Sequence, residues 1–100
     1  MKERLRSLSA IDRVIHEPGR LIIVALLSAV EEADFLYLQY ETGLNKGTLS
    51  SHLARLEEEG YLEITKTYRG KIPQTLLRLT SSGRRVFAQY RKQLRKGLQM

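Results

Sequence analysis

The hydrophobic period of the chain changes at Gly60. Before this glycine, Leu49, Leu53 and Leu56 are spaced by four and three residues, as on one face of an α-helix. After it, apolar and polar residues alternate over residues 61–68, as in a strand with one buried face. The chain is therefore expected to fold as helices followed by a hairpin, and a helical period returns after the hairpin.

Boundary residues divide the remaining sequence into further helices. Gly43 interrupts the helical pattern, and the side chains of Asp34, Asn45 and either Thr80 or Ser81 can cap helix N-termini. The run 21–27 is apolar nearly all round, which predicts a central buried helix. The fold class is mainly α with a small β-hairpin, in the order α-α-α-α-β-β-α. The predicted helices are 4–15, 18–30, 35–42, 46–59 and 82–98, and the predicted strands are 61–68 and 74–80 around a turn at 69–73.

Charge is distributed unevenly along the chain, whose formal net charge is +6. Residues 1–41 contain five Lys and Arg against seven Asp and Glu, whereas residues 42–100 contain twelve against four. A basic half on a small domain favours a polyanionic partner, and nucleic acid is the leading candidate.

Several features that define other protein classes are missing from the sequence. There is no cysteine, which excludes a disulfide framework and a cysteine-ligated metal site. The longest apolar run is far shorter than the roughly 20 residues that cross a bilayer, so we expect a cytoplasmic protein without a membrane anchor. His16 and His52 are far apart and have no ligand spacing around them, so we expect no metal and no cofactor. No phosphate loop or activated nucleophile is recognisable, so we expect no enzymatic activity.

The segment 35–60 combines a short helix, a turn at Gly43 and a second amphipathic helix, which together make a helix-turn-helix. With its leucines turned inward, the second helix presents small, hydrogen-bonding or basic residues in its N-terminal half, and its acids fall in the last turn, at 57–59. Such a face suits the DNA major groove, which is about 12 Å wide. The residues of this helix predicted to contact DNA are Lys46, Thr48, Ser50, Ser51, His52 and Arg55.

The turn of the hairpin carries a second candidate contact. Tyr68, Arg69 and Lys71 place an aromatic ring and two cations around Gly70, which permits a tight turn. An arginine that enters the minor groove, or lies against the phosphates beside it, enlarges the contact with DNA. We therefore predict that residues 68–73 contact the backbone or the minor groove.

Three stretches resemble the winged helix-turn-helix regulators of the MarR and ArsR type. Residues 44–62 resemble their recognition helix, residues 16–27 resemble their opening helix, and LTSSGR at 79–84 resembles the start of their last helix. The resemblance covers residues 8–98 and implies one winged helix-turn-helix domain, assigned here to residues 1–100. It also implies a homodimer that reads a pseudo-palindromic DNA site. Bases would then be read by Thr48, Ser50, Ser51 and His52, and Lys46 and Arg55 would hold phosphates or bases.

The terminal helices 4–15 and 82–98 carry apolar stripes with two interpretations. Each stripe could pack on the core of its own domain, or it could pair with a second copy of the chain. We predict a homodimer, because two-fold dimers match palindromic DNA sites. The predicted interface residues are Leu5, Leu8, Ile11, Ile15, Val86, Tyr90, Leu94 and Leu98.

The function predicted from these features is a sequence-specific double-stranded DNA-binding transcriptional regulator that acts as a repressor. The alternatives are a winged-helix module that binds a protein partner and a weakly specific architectural nucleic-acid binder. RNA ranks below DNA, because the deep, narrow groove of A-form RNA does not admit a helix. A small-molecule effector near Tyr37, Tyr40, Phe87 or Tyr90 stays open, since aromatic core packing explains those residues equally well.

Overall fold

The computed structural model describes residues 2–99, so the predicted domain limits, Met1 and Met100, lie outside the described residues. Within that range the architecture is mainly helical with a small antiparallel sheet, which confirms the predicted fold class. The helices are α1 (Lys2–Arg6), α2 (Pro18–Ser28), α3 (Phe35–Thr42), α4 (Lys46–Glu58) and α5 (Ser81–Leu98), and a 3-10 helix (Ser7–Ala10) follows α1. The strands are β1 (Ala33–Asp34), β2 (Leu62–Arg69) and β3 (Ile72–Leu79).

The prediction of one continuous helix over residues 4–15 is wrong. The hydroxyls of Ser7 and Ser9 donate to backbone carbonyls three residues earlier, at 2.6 and 2.8 Å. The carboxylate of Asp12 accepts the backbone N–H of Ile15 at 2.9 Å. Serine and aspartate side chains compete in this way with the hydrogen bonds of a helix. The helical segment consequently ends at Ala10, and residues 11–17 form an irregular connection.

Side-chain caps define where four helices begin. The carboxylates of Glu17 and Asp34, the amide oxygen of Asn45 and the hydroxyl of Thr80 each accept a backbone N–H from the first turn of α2, α3, α4 and α5 respectively. The predicted caps at Asp34 and Asn45 are thereby confirmed, and of the two candidates for α5, Thr80 and Ser81, the cap is Thr80. Each cap of this kind stabilises its helix by about 1 kcal/mol.

The sheet has three strands in the order β1-β3-β2, one more than the predicted hairpin. The added strand is short and pairs Ala33 with Leu77. The hairpin is also longer than predicted, because Arg69 pairs with Ile72 and only Gly70 and Lys71 remain in the turn. The wing is therefore a long two-stranded ribbon with a two-residue tip.

The hydrophobic core lies between α2, α4, α5 and the inner face of the sheet. The predicted central helix α2 contributes Ile23, Val24 and Leu27 to the core, but one face of it remains open, since the side chain of Ile22 is 45% exposed. The buried core residues are Val14, Ile15, Ile23, Val24, Leu27, Leu38, Leu49, Leu53, Leu56, Leu62, Leu77, Leu79, Phe87 and Tyr90.

The residues of the terminal stripes predicted for dimerisation differ in exposure, and Ile11, Val86 and Leu94 are partly buried against the core. Ile15 and Tyr90 are fully covered within one chain, at 0% and 2% exposure, so they belong to the core of the domain and not to an exposed interface. Leu8 packs against Gly97 of α5, where a side chain larger than glycine would collide with it. Leu5 and Leu98 remain about half-exposed, at 48% and 50%.

Candidate nucleic-acid interface

The short turn between α3 and α4 contains one residue in the left-handed backbone conformation. Gly43 ends α3 with a φ of +70°, and its N–H donates to the carbonyl of Gln39 at 3.0 Å. Glycine adopts this conformation without steric cost. Two residues later the Asn45 side chain accepts the N–H of Thr48 at 2.8 Å and starts α4. The two helices form the predicted helix-turn-helix.

The inward face of α4 is fixed by three leucines. Leu49, Leu53 and Leu56 are at most 2% exposed, which confirms the predicted phase of this helix. Because residues advance by about 100° on a helix, the opposite, outermost strip consists of Gly47, Ser51, Ala54 and, in the last turn, Glu58, all of them exposed. Over residues 46–54, only small side chains therefore project furthest from the domain.

Of the predicted DNA contacts of α4, Ser51 lies on this strip and most of the others lie on its two flanks. Lys46 and Ser50 are exposed and face the wing. By helical phase, Thr48 and Arg55 lie on the other flank. The guanidinium of Arg55 donates to the carboxylate of Glu59 at 2.8 Å, an exposed pair that is worth little in water and is open to exchange for a phosphate.

His52 departs from the predicted set, because its side chain points back into the protein. It is 15% exposed, its Nε2 lies 3.7 Å from a carboxylate oxygen of Glu17, and its Nδ1 lies 3.3 Å from a guanidinium nitrogen of Arg20. The bond from the Arg20 backbone N–H, followed by the charge interaction with His52, lowers the pKa of Glu17. His52 therefore joins the recognition helix to the first turn of α2 and does not lie on the outward face.

The wing presents its predicted residues to solvent. Tyr68 is 71% exposed, Arg69 occupies the last paired position of β2, and Lys71 lies in the turn. Among the ion pairs that the described residues form, none involves Lys46, Arg69 or Lys71. These three cations are therefore available to a polyanion without the loss of an existing pair.

An open groove separates α4 from the wing. Its volume is about 710 Å³, and it is lined by α3, the N-terminal half of α4 and both strands of the hairpin. Lys66 lines this groove and was missed as a site residue in the sequence. The signal was present, because Lys66 follows Leu62 and Ile64 at the strand period, so it continues their inward face after the core has ended.

Tyr61 anchors the junction between α4 and the wing. Its hydroxyl donates to the carboxylate of Asp12 at 2.5 Å, and its carbonyl accepts the N–H of Thr80 at 3.0 Å. Burial, together with the bond to the carboxylate, raises the pKa of Tyr61 to about 12. Gly83 lies directly against the Tyr61 backbone, where a β-carbon would collide with the carbonyl. Recognition helix, wing and α5 are thus held together at one point.

The structure does not bring together the four aromatics considered for an effector site. Phe87 and Tyr90 are buried and stack with ring centroids 6.2 Å apart, whereas Tyr37 and Tyr40 are exposed on α3. The Nδ1 of His16 lies at hydrogen-bond distance, 2.7 Å, from the hydroxyl of Tyr90. Within residues 2–99 no three histidine or acidic side chains converge as a metal site, and no helix is long and apolar enough to cross a membrane.

Comparison with known proteins places these features in a family. A family model described as a winged helix DNA-binding domain matches residues 20–98. An uncharacterized protein of Methanocaldococcus jannaschii is 34% identical over 79 residues, which are 78% of this chain and 85% of that protein.

Solved structures share the fold over most of the chain. A transcriptional regulator homologue from Pyrococcus horikoshii superimposes with a TM-score of 0.88 at 25% identity, over 97% of this chain and 95% of that one. The regulator PcaV of Streptomyces coelicolor, solved with its natural ligand, gives a TM-score of 0.73 at 23% identity, over 89% of this chain and 62% of its own. These structural neighbours are MarR-family transcriptional regulators. The chain described here belongs to the winged helix DNA-binding domain family.

Proposed function

We propose that this protein is a sequence-specific transcriptional regulator that binds double-stranded DNA as a homodimer and represses by covering a promoter. One observation carries the proposal. The N-terminal half of α4, which is free of acidic side chains, and the cationic tip of the wing project from the same side of the domain across one groove. A polyanion can therefore contact both elements at once.

The dimensions of α4 suit insertion into the major groove. Over residues 46–54 its outermost residues Gly47, Ser51 and Ala54 have short side chains, so this part of the helix backbone can come close to the base edges. Hydroxyl side chains such as Thr48 and Ser50 donate to or accept from base edges, and methyl groups contact thymine. Lys46 at the N-terminus and Arg69 and Lys71 on the wing would contact phosphates on either side.

The homodimer is supported by the apolar side chains left at one end of the molecule. Leu5 and Leu98 are about half-exposed where α1 lies beside the C-terminal end of α5. A two-fold axis near this end would present two recognition helices to half-sites one helical turn apart, about 34 Å.

The test is a salt titration of binding to random genomic duplex fragments, followed by sequencing of the bound pool. We expect log affinity to fall with log salt by a slope of about 0.9 per phosphate neutralised. An enriched palindrome would support the dimeric, sequence-specific regulator. Absence of binding at low salt would overturn DNA binding and leave the protein-partner module as the better account.

Single substitutions make this test specific to the proposed face. Lys46→Gln, Arg69→Gln and Lys71→Gln should each weaken binding to all sequences and reduce the salt slope by about one. Lys96→Gln removes an exposed cation from the last turn of α5 and serves as the matched control. An equal loss in the control would mean that net charge alone drives binding.

A weakly specific architectural binder is the second candidate. The short side chains at Gly47, Ser51 and Ala54 favour it, because they offer few of the long bidentate contacts that discriminate between bases. For this candidate the titration would show the same steep salt dependence, but the sequenced pool would contain no enriched motif.

A further inference from the structure

The outer face of α2 has the composition of a buried helix. The exposed residues of the helix and its C-cap recur at spacings of four, three and four, and all of them are apolar: Pro18, Ile22, Ala25 and Ala29. Arg20, the only charged residue of α2, turns inward, where its Nε donates to the Val14 carbonyl at 2.5 Å. A helix on the surface of a domain carries polar side chains on its outer face, whereas a helix that is apolar all round is buried. This composition indicates that another molecule covers the face.

The outer face of α2 points away from the proposed DNA-binding surface. α2 packs on α4 through its opposite side, where Gly19 lies against the His52 side chain. Ala25 lies about 200° around the helix from the fully buried Ile23. A molecule that covers the outer face of α2 therefore leaves α4 and the wing free for DNA.

Charge favours a second copy of this chain as the covering molecule. Two copies with a formal net charge of +6 repel each other, and α5 opposes a close approach through its exposed cations: Arg85, Lys92, Arg95 and Lys96. Within residues 18–29, which the structure describes in full, the outer face of α2 carries no charged side chain. Two copies can meet there without opposing like charges, whereas a different protein would find no charge on this face to recognise.

The stripe on α2 is also complementary to itself in size. With a two-fold axis beside Ala25, the two helices run antiparallel, and the bulky Ile22 of one copy meets the small Ala29 of the second copy. Large residues opposite small ones pack without voids, and the two-fold axis makes this contact occur twice. Alanines at the contact allow the helix axes to approach to about 8 Å, the short end of the usual range.

The size of the contact limits when it forms. α2 has 11 residues, so its outer face is about 16 Å long and about 10 Å wide. Stable complexes bury far more, about 800 Å² on each partner. Copies in dilute solution therefore stay apart at this face, and the contact needs copies held close together, as on DNA, where their effective concentration is high.

We propose that α2 of one DNA-bound copy pairs back to back with α2 of a second, and that the protein thereby holds two segments of duplex DNA together. The bridging rests on the proposed function, because each copy must bind DNA through α4 and the wing, whereas the pairing of α2 does not. This contact is separate from the proposed dimer interface at Leu5 and Leu98. Because the paired faces point away from DNA, each recognition helix is directed to its own segment.

Capture of a second duplex measures the bridging. Beads carrying one duplex are loaded with protein and then offered a second, fluorescent duplex. We expect the parent to retain it and Ala25→Glu to retain at least about tenfold less, because two carboxylates would face each other across the two-fold axis. The affinity of Ala25→Glu for a single short duplex should equal that of the parent.

Ala88→Glu is the matched control for this capture, since it makes the same change at an exposed alanine of α5. Both alanines are exposed, so both variants are expected to fold. Ala88→Glu should retain the second duplex as the parent does. Equal retention by the two variants, or a parent that retains no second duplex, would overturn the bridging.

Disulfide cross-linking tests the pairing of α2 without DNA. The chain has no cysteine, so a single introduced thiol reports its own contacts. In Ala25→Cys the two thiols would lie beside the two-fold axis, within the Cα separation of about 4.4–6.8 Å that a disulfide requires. Under mild oxidation of concentrated protein, Ala25→Cys should cross-link at least about fivefold more than Ala88→Cys, and its yield should fall on dilution.

The cross-linking outcomes separate this proposal from the proposed function. If the protein binds no duplex, the proposed function and the bridging both fail, whereas Ala25→Cys still decides whether α2 pairs with α2. Equal yields for Ala25→Cys and Ala88→Cys would overturn the pairing and leave a different protein to cover α2. A yield for Ala25→Cys that does not change on dilution would place α2 within a stable dimer and overturn the back-to-back contact.

Discussion

Tyr61 shows how a single residue can hold several elements in place. Its N–H donates to the Leu56 carbonyl at the end of α4, its carbonyl accepts from Thr80 before α5, and its hydroxyl donates to Asp12. The connection before α2, the recognition helix and the last helix therefore meet at one residue. The angle between the recognition helix and the wing depends on this residue.

Removing the Tyr61 hydroxyl should show how much this junction contributes to the free energy of unfolding. We expect Tyr61→Phe to lower the free energy of unfolding by about 1.5–3 kcal/mol at neutral pH, the usual range for a hydrogen bond to a charged group. Urea denaturation measures the change. A variant as stable as the parent would mean that water replaces the bond without loss.

The raised pKa of Tyr61 also predicts how the stability difference between the parent and Tyr61→Phe changes at alkaline pH. The folded state raises the pKa of Tyr61 from 10.0 to about 12, so folding favours the protonated phenol. The stabilisation is present in full below pH 10 and is lost as the pH rises from 10 towards 12. We therefore expect the stability difference between the parent and Tyr61→Phe to shrink across this interval. A constant difference would contradict the assignment of the raised pKa to the folded state.

Gly19 and His52 form a second contact that a double-mutant cycle can test. A β-carbon on Gly19 would lie 2.6 Å from the His52 Nε2, so Gly19→Ala should destabilise the protein by about 1–3 kcal/mol. In an ordinary helix the same change stabilises by up to about 1 kcal/mol. Adding His52→Ala removes the clash and should return Gly19→Ala to neutral or stabilising. If the two substitutions change the free energy of unfolding additively, the His52 side chain does not lie against Gly19 of α2.

At the scale of the element, the sequence predicts best where a period repeats several times. The leucines of α4 recur over two turns, so the buried face of the recognition helix follows directly from their spacing. The β1 strand could not be found in this way, because Ala33 and Asp34 are too few to show an alternation. Its pairing with β3 depends on the tertiary fold.

Two other predictions from the sequence were wrong for local physical reasons. The helix predicted over 4–15 has the correct apolar period, but side chains of Ser7, Ser9 and Asp12 take up its backbone groups. His52 lies at the boundary between the inward and outward faces of α4, and its direction is decided by Glu17 and Arg20, which the chain brings there only on folding. Helical phase alone assigns it to neither side.

The tip of the wing carries an element-scale prediction. Gly70 has a φ of +65° at the first position of a two-residue turn, a conformation that disfavours any side chain with a β-carbon. Gly70→Ala should lower the free energy of unfolding by about 1–2 kcal/mol, and Gly70→Asn should lower it less, because asparagine tolerates this region. The measurement is urea denaturation of both variants. Equal losses would mean that the tip relaxes to another turn.

At the scale of the whole molecule, the domain is longer than its size requires. Its extents are 57 × 25 × 22 Å, and its radius of gyration is 15.0 Å, against about 13 Å for a compact chain of this length. Gly97 allows Leu8 to pack closely on α5, so α1 and the C-terminal part of α5 lie side by side. The proposed interface is placed at this paired end because Leu5 and Leu98 are exposed there.

A double substitution at that end tests the dimer. Leu5→Glu/Leu98→Glu places two carboxylates where the proposed interface would bury leucines, so sedimentation equilibrium should give the mass of one chain, 11.5 kDa, where the parent gives twice that value. Affinity for a palindromic duplex should fall by about a hundredfold or more, since two linked half-site contacts become one. Ile22→Glu alters another exposed apolar residue, on α2, and should leave both mass and affinity near those of the parent. A parent that is itself a monomer would overturn the homodimer, and DNA binding would then depend on α4 and the wing of a single chain.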